Sequence, residues 1–379
     1  MQAMAKPKKT DQAQIFHAGE QEAGDTLLAA LRGWLPETSW NEARRLVRKR
    51  HVQVNGNLCL DEARRLKAKE VVKVHKFPLA PPPTADRVKI IYVDDQIIVV
   101  EKPSGVTSVR HAQEQSWPDK RKQFQPTLDE MLPKVLADTL RARGESFTPA
   151  PAPPRSPQRH PRSQKHRLPP HAQRGKHRND PPPARLPLVV PVHRLDRETS
   201  GLMVFARTAA AEHNLIAQFK EHSIERAYQA VAIGVVSAER IETWLVRDRG
   251  DGLRGSAAQP EGAQLAITHV RPLQRLGPYT LVECRLETGR THQIRIHLSE
   301  RGHMLCGEKV YFGPLGGKKA SDTSGAPRLA LHAARLEFIH PTTGKPMKFQ
   351  SELPRDLAQF VARLERGSQD QLDGDQLHE

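Results

Sequence analysis

The stretch Val192 to Arg207, VHRLDRETSGLMVFAR, restricts this chain more than any other. Its second half, Gly201 to Arg207, is an apolar run of strand length that must be buried on at least one face. Its first half is a polar turn in which Asp196 stands between Arg194 and Arg197. An opposite charge a few ångströms away favours the ionised carboxylate, so these arginines are expected to keep Asp196 charged, as a nucleophile or base requires. A plainer alternative stays open at this point, because an Asp ahead of Thr-Ser-Gly also suits a turn that bonds its own backbone.

A chain of 379 residues has room for two or three domains and needs no disulfides to hold a core. Its three cysteines, Cys59, Cys284 and Cys306, lack paired spacing, which points to a reducing compartment and to no structural metal. No apolar run approaches the roughly 20 residues that span a bilayer. The N-terminal residues lack the apolar block of a secretory signal, so the cytoplasm is the expected location. The net charge of +16 favours polyanions, and nucleic acid above all.

Residues 1–18 read as a disordered basic arm. Leu27, Leu28, Leu31 and Leu35 then follow helical spacing, with Asp25 placed as the cap. Ser39 opens a second helix with Glu42 three positions later, a capping-box pattern. Cations fill five of the seven positions from 44 to 50, with no acid between them: Arg44, Arg45, Arg48, Lys49 and Arg50. Two alternating segments around Asn55-Gly56 make a hairpin, and Glu70 to His75 adds a strand. Residues 19–76 in this order resemble the S-four-type RNA-binding domain. The resemblance implies that Arg44, Arg45, Arg48 and Lys49 lie on structured RNA, whereas a solvated cationic helix face would look the same in sequence.

A proline-rich linker covers residues 77–87. Beyond it, Val88 to Lys102 reads as two strands around an Asp-Asp turn, and 127–136 as a short helix. From about 141 to 185 prolines, His, Arg and Lys dominate, and Asp180 is the only acid between Ser146 and Leu195. Such a segment is expected to be a disordered cationic insertion, either holding RNA phosphates loosely or serving as a tolerated loop. Further elements are a helix at about 209–221 and strands at 225–233, 263–273, 279–286, 328–340 and 345–352. A helix within THQIRIHLSERG and a last one at about 357–366 complete them. Residues 242–262 read as irregular, and 367–379 as a polar tail.

Four stretches carry a second likeness: EKPSGV at 101–106, HRLDRETSGL at 193–202, RAYQAV at 226–231 and LETGRTHQIRIHL at 286–298. In this order they resemble the RluA family of pseudouridine synthases, and RLALHAARLEFIHP further on fits as well. The resemblance implies that Asp196 is the catalytic aspartate, attacking either the uracil base or the sugar C1′. It makes Tyr228 the aromatic that stacks on the flipped uracil, Arg295 the cation paired with the aspartate, and Arg194 the arginine that fills the vacated space. Arg290 and His292 contact phosphate or cap the helix. Glu101 stands where the family often has Asp, and the insertion before His193 is unusually long.

These readings give an α+β chain. A small α+β RNA-binding domain precedes a mixed, largely antiparallel sheet of pseudouridine-synthase type over 88–366. The expected activity is isomerisation of uridine to pseudouridine in RNA, most of all large-subunit ribosomal RNA, by a monomer without cofactor, metal or membrane. The alternatives are the same chemistry on tRNA, or a non-catalytic RNA-binding protein of ribosome assembly.

Overall fold

The computed structural model describes residues 13–376 except 56, 80–83, 112–113, 117–121, 123–124, 147–185 and 258–261. The first twelve residues of the expected arm, Gly56 of the hairpin turn, the middle of the proline linker, most of the cationic insertion and the last three residues of the tail lie outside the described residues.

The N-terminal unit packs helices α1 (Leu27–Trp34) and α2 (Trp40–Arg48) on a four-stranded sheet. Its strands are β1 (Gln14–His17), β2 (Val52–Val54), β3 (Asn57–Leu58) and β4 (Val71–Val74), in the order β1-β4-β2-β3. Thr26, not Asp25, caps α1, its hydroxyl accepting the Ala29 N–H at 3.2 Å. Ser39 and Glu42 make both bonds of the capping box on α2. Leu27, Leu31, Ala43, Val47, Val52 and Val72 close the core between the layers.

Strand β1 corrects the expectation that the chain is an arm up to residue 18. Residues 14–17 pair antiparallel with β4, and Phe16 stacks on Trp34 with ring centroids 5.1 Å apart. One aromatic in a polar stretch leaves too faint a pattern to announce a strand.

The second unit is built on a sheet of eleven strands. They are β5 (Lys89–Val93), β6 (Ile97–Lys102), β7 (Val190–Pro191), β8 (Ser200–Ala206), β9 (Glu225–Ile233), β10 (Glu239–Val246), β11 (Gly255–Ala257), β12 (Gln264–Leu276), β13 (Tyr279–Leu286), β14 (Leu331–Ile339) and β15 (Pro346–Gln350). The order is β11-β10-β12-β13-β9-β14-β8-β6-β5, with β15 beside β14 and β7 beside β8. Every pairing is antiparallel except β14 with β8.

Strand β8 is buried on both faces, which is why its sequence is continuously apolar instead of alternating. Met203 and Phe205 pack toward helix α3 (Leu128–Ala142), through Leu132 and Leu136 among others. Leu202 and Val204 pack on the other side with helix α4 (Ala209–Lys220), through Ala211 and Leu215. At the parallel junction Ala333 faces Gly201, whose φ is 121°, and a Cβ there would come within 2.3 Å of the Ala333 carbonyl oxygen. Only glycine passes this point. The chain therefore passes from the polar turn into the sheet at Ser200 at a fixed angle.

Helix α5 spans Gln293–Glu300, and α6 spans Arg355–Gln376. Three boundaries differ from expectation. Helix α3 continues to Ala142 and buries Leu140. Residues 242–262 include most of β10 and all of β11, which the sequence pattern hides because β10 buries only Ile241 and Leu245 and leaves Glu242 and Trp244 between them exposed. Helix α6 runs through Gly367 to residue 376, and the sequence from Ser368 on, SQDQLDGDQ, holds a single large apolar residue, so no apolar stripe marks the extension.

Candidate active site

The polar turn 194–199 is clamped from one side by the segment that follows β6. Lys102, almost fully buried, donates its Nζ to the carbonyls of Pro103, Val106 and Arg197 at 3.0, 2.9 and 3.2 Å. The Ser104 hydroxyl donates to Glu198 O at 2.7 Å and the Ser108 hydroxyl to Leu195 O at 2.7 Å. The Gly105 N–H donates to Arg197 O, and Arg197 Nε returns a bond to Gly105 O. Burial pushes Lys102 down to about 7, against the pull of the Glu198 and Asp196 carboxylates. The EKPSGV block thus acts as a backbone clamp that sets where Asp196 points.

Asp196 is 17% exposed. Its Oδ2 lies 3.6 Å from Nη1 of Arg295, and its Oδ1 lies 3.8 Å from Nε2 of His292. Arg295 projects from α5 and is itself held by Glu308, through bonds of 2.7 Å from Nε and 2.6 Å from Nη2. Glu308 also accepts the backbone N–H groups of Lys309 and Val310. Burial alone would depress the arginine, yet the bonds and charge of Glu308, joined by Asp196, carry its pKa above the ordinary value. Burial likewise opposes Glu308, but Arg295 holds its carboxyl below the usual range. Arg295 is therefore a fixed cation facing a carboxylate it does not fully bind.

His292 adopts φ 61°, in the left-handed region, where α5 begins. Its Nδ1 is 2.6 Å from the Tyr311 hydroxyl, and burial lowers its pKa to about 4, so it meets Asp196 as a neutral ring. Tyr228, on β9 between β13 and β14, is buried against the apolar core. Burial raises its pKa, which keeps the phenol neutral.

Asp196, Tyr228, Arg295, Arg194, Arg290 and His292 line one cavity of about 480 Å³. That volume lies in the roughly 300–1,000 Å³ range of ligand pockets. A larger cleft of about 1030 Å³ joins the same Asp196 and Arg295 to Arg64, Arg65 and Lys73 of the N-terminal unit. The two units meet where Lys73 Nζ donates to Lys309 O at 3.0 Å and Gln125 Nε2 donates to Leu58 O at 3.1 Å.

Several site expectations change in detail. Arg194 and Arg197 do not hold Asp196: Arg194 is exposed, Arg197 is turned to Gly105, and Arg295 approaches the carboxylate instead. His292 occupies the cap position of α5 without a side-chain cap bond, and Arg290 Nε donates to Leu265 O. Arg44, Arg45, Arg48 and Lys49 lie on α2 in the N-terminal unit and do not line the cavity. Glu62 supplies the acid that positions 44–50 lack, bonded to Arg44 at 2.9 Å and Arg48 at 2.5 Å. Arg45 and Lys49 remain exposed. Glu308 and Tyr311, in GEKVYFG, had no place in the sequence reading. The one signal for Glu308 was the need of an arginine on an otherwise buried helix for a carboxylate partner.

The site is concave and holds one carboxylate, Asp196, facing the guanidinium of Arg295, with the buried ring of Tyr228 in the same cavity. Residues 157–300 match the family model described as RNA pseudouridylate synthase, and residues 34–72 match the S4 domain. The likeness to the RNA pseudouridylate synthase family thus covers residues 157–300, with an S4-domain match ahead of it. The chain is similar to Ribosomal large subunit pseudouridine synthase D of Neisseria meningitidis, 43% identical over 193 residues, or 49% of this chain and 51% of that one. The protein of the same name from Pseudomonas aeruginosa is 40% identical over 188 residues, 48% of this chain and 58% of that one. Uncharacterized RNA pseudouridine synthase YlyB of Bacillus subtilis is 39% identical over 177 residues, 46% of this chain and 55% of that one. The chain thus spans between half and two thirds of the length of these relatives. Among solved structures, Human RNA Pseudouridylate Synthase Domain Containing 4 aligns with a TM-score of 0.49 at 20% identity, over 73% of this chain and 93% of that one.

Proposed function

We propose that this protein isomerises uridine to pseudouridine in RNA, with large-subunit ribosomal RNA as the substrate. The observation that carries the reading is the placement of Asp196 in a cavity with Tyr228, its Oδ2 3.6 Å from Arg295. The reaction breaks the N1–C1′ bond, turns the uracil and forms a C5–C1′ bond; the C5 proton leaves and the freed N1 takes up a proton, so the product is an isomer. It consumes no cofactor. It needs a carboxylate that forms a covalent adduct with the base or at C1′, or that faces the charge developing on the sugar.

Each group has a role suited to its surroundings. Asp196 attacks. Arg295, kept charged by Glu308, orients it without forming a short bond that would quench it. The buried phenol of Tyr228 gives the extruded uracil a stacking face and lies within reach of C5 chemistry. Arg194, exposed at the mouth, fills the gap left in the RNA. The S4 domain match and the names of the relatives support ribosomal RNA as the substrate. We assign a monomer as the acting form and the cytoplasm as its location. Among the described residues no helix is long and apolar enough to cross a membrane.

The test is incubation of purified protein with ribosomal RNA and tRNA transcripts, followed by carbodiimide mapping of pseudouridine. New stops at discrete uridines of the large-subunit RNA are expected. No stop in either RNA removes the proposal, and stops in tRNA alone transfer the chemistry to that substrate.

A further inference from the structure

The cavity that holds Asp196 extends away from it along β9, and that extension has its own chemistry. Arg226, two residues before Tyr228 on β9, is only 9% exposed. Its guanidinium lies 5.6 Å from the Phe219 ring centroid, and its Nη2 donates to Glu287 O at 3.1 Å. Its buried Nε has no hydrogen-bond partner, and among the described residues no carboxylate lies within 4 Å of it. Gly289 makes the arrangement possible, because a Cβ there would come within 2.5 Å of Arg226 Nη1. Arg290, next along the chain, shares the wall and also has no carboxylate within that distance among the described residues. Among the described residues Asp196 is the only acid lining the cavity.

A buried cation without a counter-ion costs several kcal/mol and is kept where an anion arrives to meet it. Guanidinium groups suit the paired oxygens of a phosphodiester. We propose that Arg226 and Arg290 form a phosphate subsite, which takes a phosphodiester adjoining the uridine that is extruded onto Asp196. This rests on the uridine reading above and adds to it the group by which the nucleotide is held. The stacking face, the carboxylate and the phosphate anchor then surround one nucleotide, so the base enters with its sugar already oriented.

Titration calorimetry with uridine and with uridine 3′,5′-bisphosphate tests the subsite without requiring turnover. The phosphates should tighten binding by about tenfold or more in the wild-type protein, the size of a charge-assisted hydrogen bond. In Arg226→Gln and in Arg290→Gln that advantage should shrink to about twofold or less. The half-exposed Arg290 gives a variant whose folding is not at stake if Arg226→Gln melts early. An unchanged advantage in Arg290→Gln and in any folded Arg226→Gln overturns the subsite, as does a wild-type protein that binds both ligands equally. In an RNA substrate, a neutral methylphosphonate flanking the target should lower kcat/KM in the wild type and have little further effect in Arg226→Gln. Wild-type protein that binds the bisphosphate preferentially but modifies no RNA would refute the isomerase reading and leave the subsite standing.

Discussion

Glu308 grips Arg295 through two hydrogen bonds of 2.7 and 2.6 Å, while Asp196 lies 3.6 Å from the remaining terminal nitrogen of the same guanidinium. Glu308 is anchored in turn by two backbone N–H groups, so the cation cannot swing onto Asp196. Replacing Glu308 by Gln keeps the shape and removes the charge. Breaking a buried pair on one side costs about 3–5 kcal/mol. Glu308→Gln should lower the melting temperature, and Arg295 should then close on Asp196 and lower kcat about tenfold to a hundredfold, with KM for RNA little changed. Steady-state kinetics on a folded variant check this, and a wild-type kcat would contradict it.

Gly201→Ala tests how the sheet sets the angle of the turn. The new methyl would meet the Ala333 backbone at a φ that side chains rarely adopt. The loss of stability should be on the order of 3 kcal/mol or more, read by urea unfolding. A change below about 1 kcal/mol would show that the β8–β14 junction yields easily.

Acid should unfold the protein before most carboxylates titrate. Burial lowers His193 to about 3, and His297 and His332 each to about 4. Each sits neutral in a hydrogen bond, His193 accepting the Val204 N–H, and His297 and His332 bonded to threonine or serine hydroxyls. Their folded values lie below the unfolded value near 6.5, so the unfolded chain binds more protons and stability rises with pH. The stabilisation is complete above 6.5 and is lost as pH falls from there toward 4. Three such groups give a slope of up to about 4 kcal/mol per pH unit. Urea midpoints at pH 7.5, 6 and 5 should fall steeply, and a flat profile over that range would contradict the neutral histidines.

Lys73 ties the S4 domain to the loop that carries Glu308, through the Lys309 carbonyl. Lys73→Met should loosen that loop by roughly 1 kcal/mol, the net worth of one hydrogen bond. Hydrogen exchange over residues 307–311 should then quicken about fivefold, and an unchanged rate would mean that the contact does not steady the site.

How much of this was legible depended on whether a residue's neighbours were close in sequence. The turn at Asp196, the Tyr228 strand and the Arg295 helix each sit inside a short recognisable block, and all three reach one cavity. Strand β8 announced itself because both its faces are buried. Strand β10 did not, because it buries only Ile241 and Leu245 and its one aromatic, Trp244, faces outward. The partners of the cations were hidden for another reason. Glu62 reaches Arg44 and Arg48 from a separate loop, and Glu308 meets Arg295 across the end of a helix. Hence the sequence placed Arg194 and Arg197 against Asp196, where the fold turns one outward and the other to Gly105.

The central claim is that the Asp196 carboxylate does the chemistry. Asp196→Asn keeps the size and shape of the side chain, exchanges one acceptor oxygen for an NH2 donor, and removes the charge and the nucleophilicity. In a single-turnover assay with large-subunit ribosomal RNA, the variant should bind RNA with wild-type affinity and form no pseudouridine. Pseudouridine formed at the wild-type rate would contradict the account.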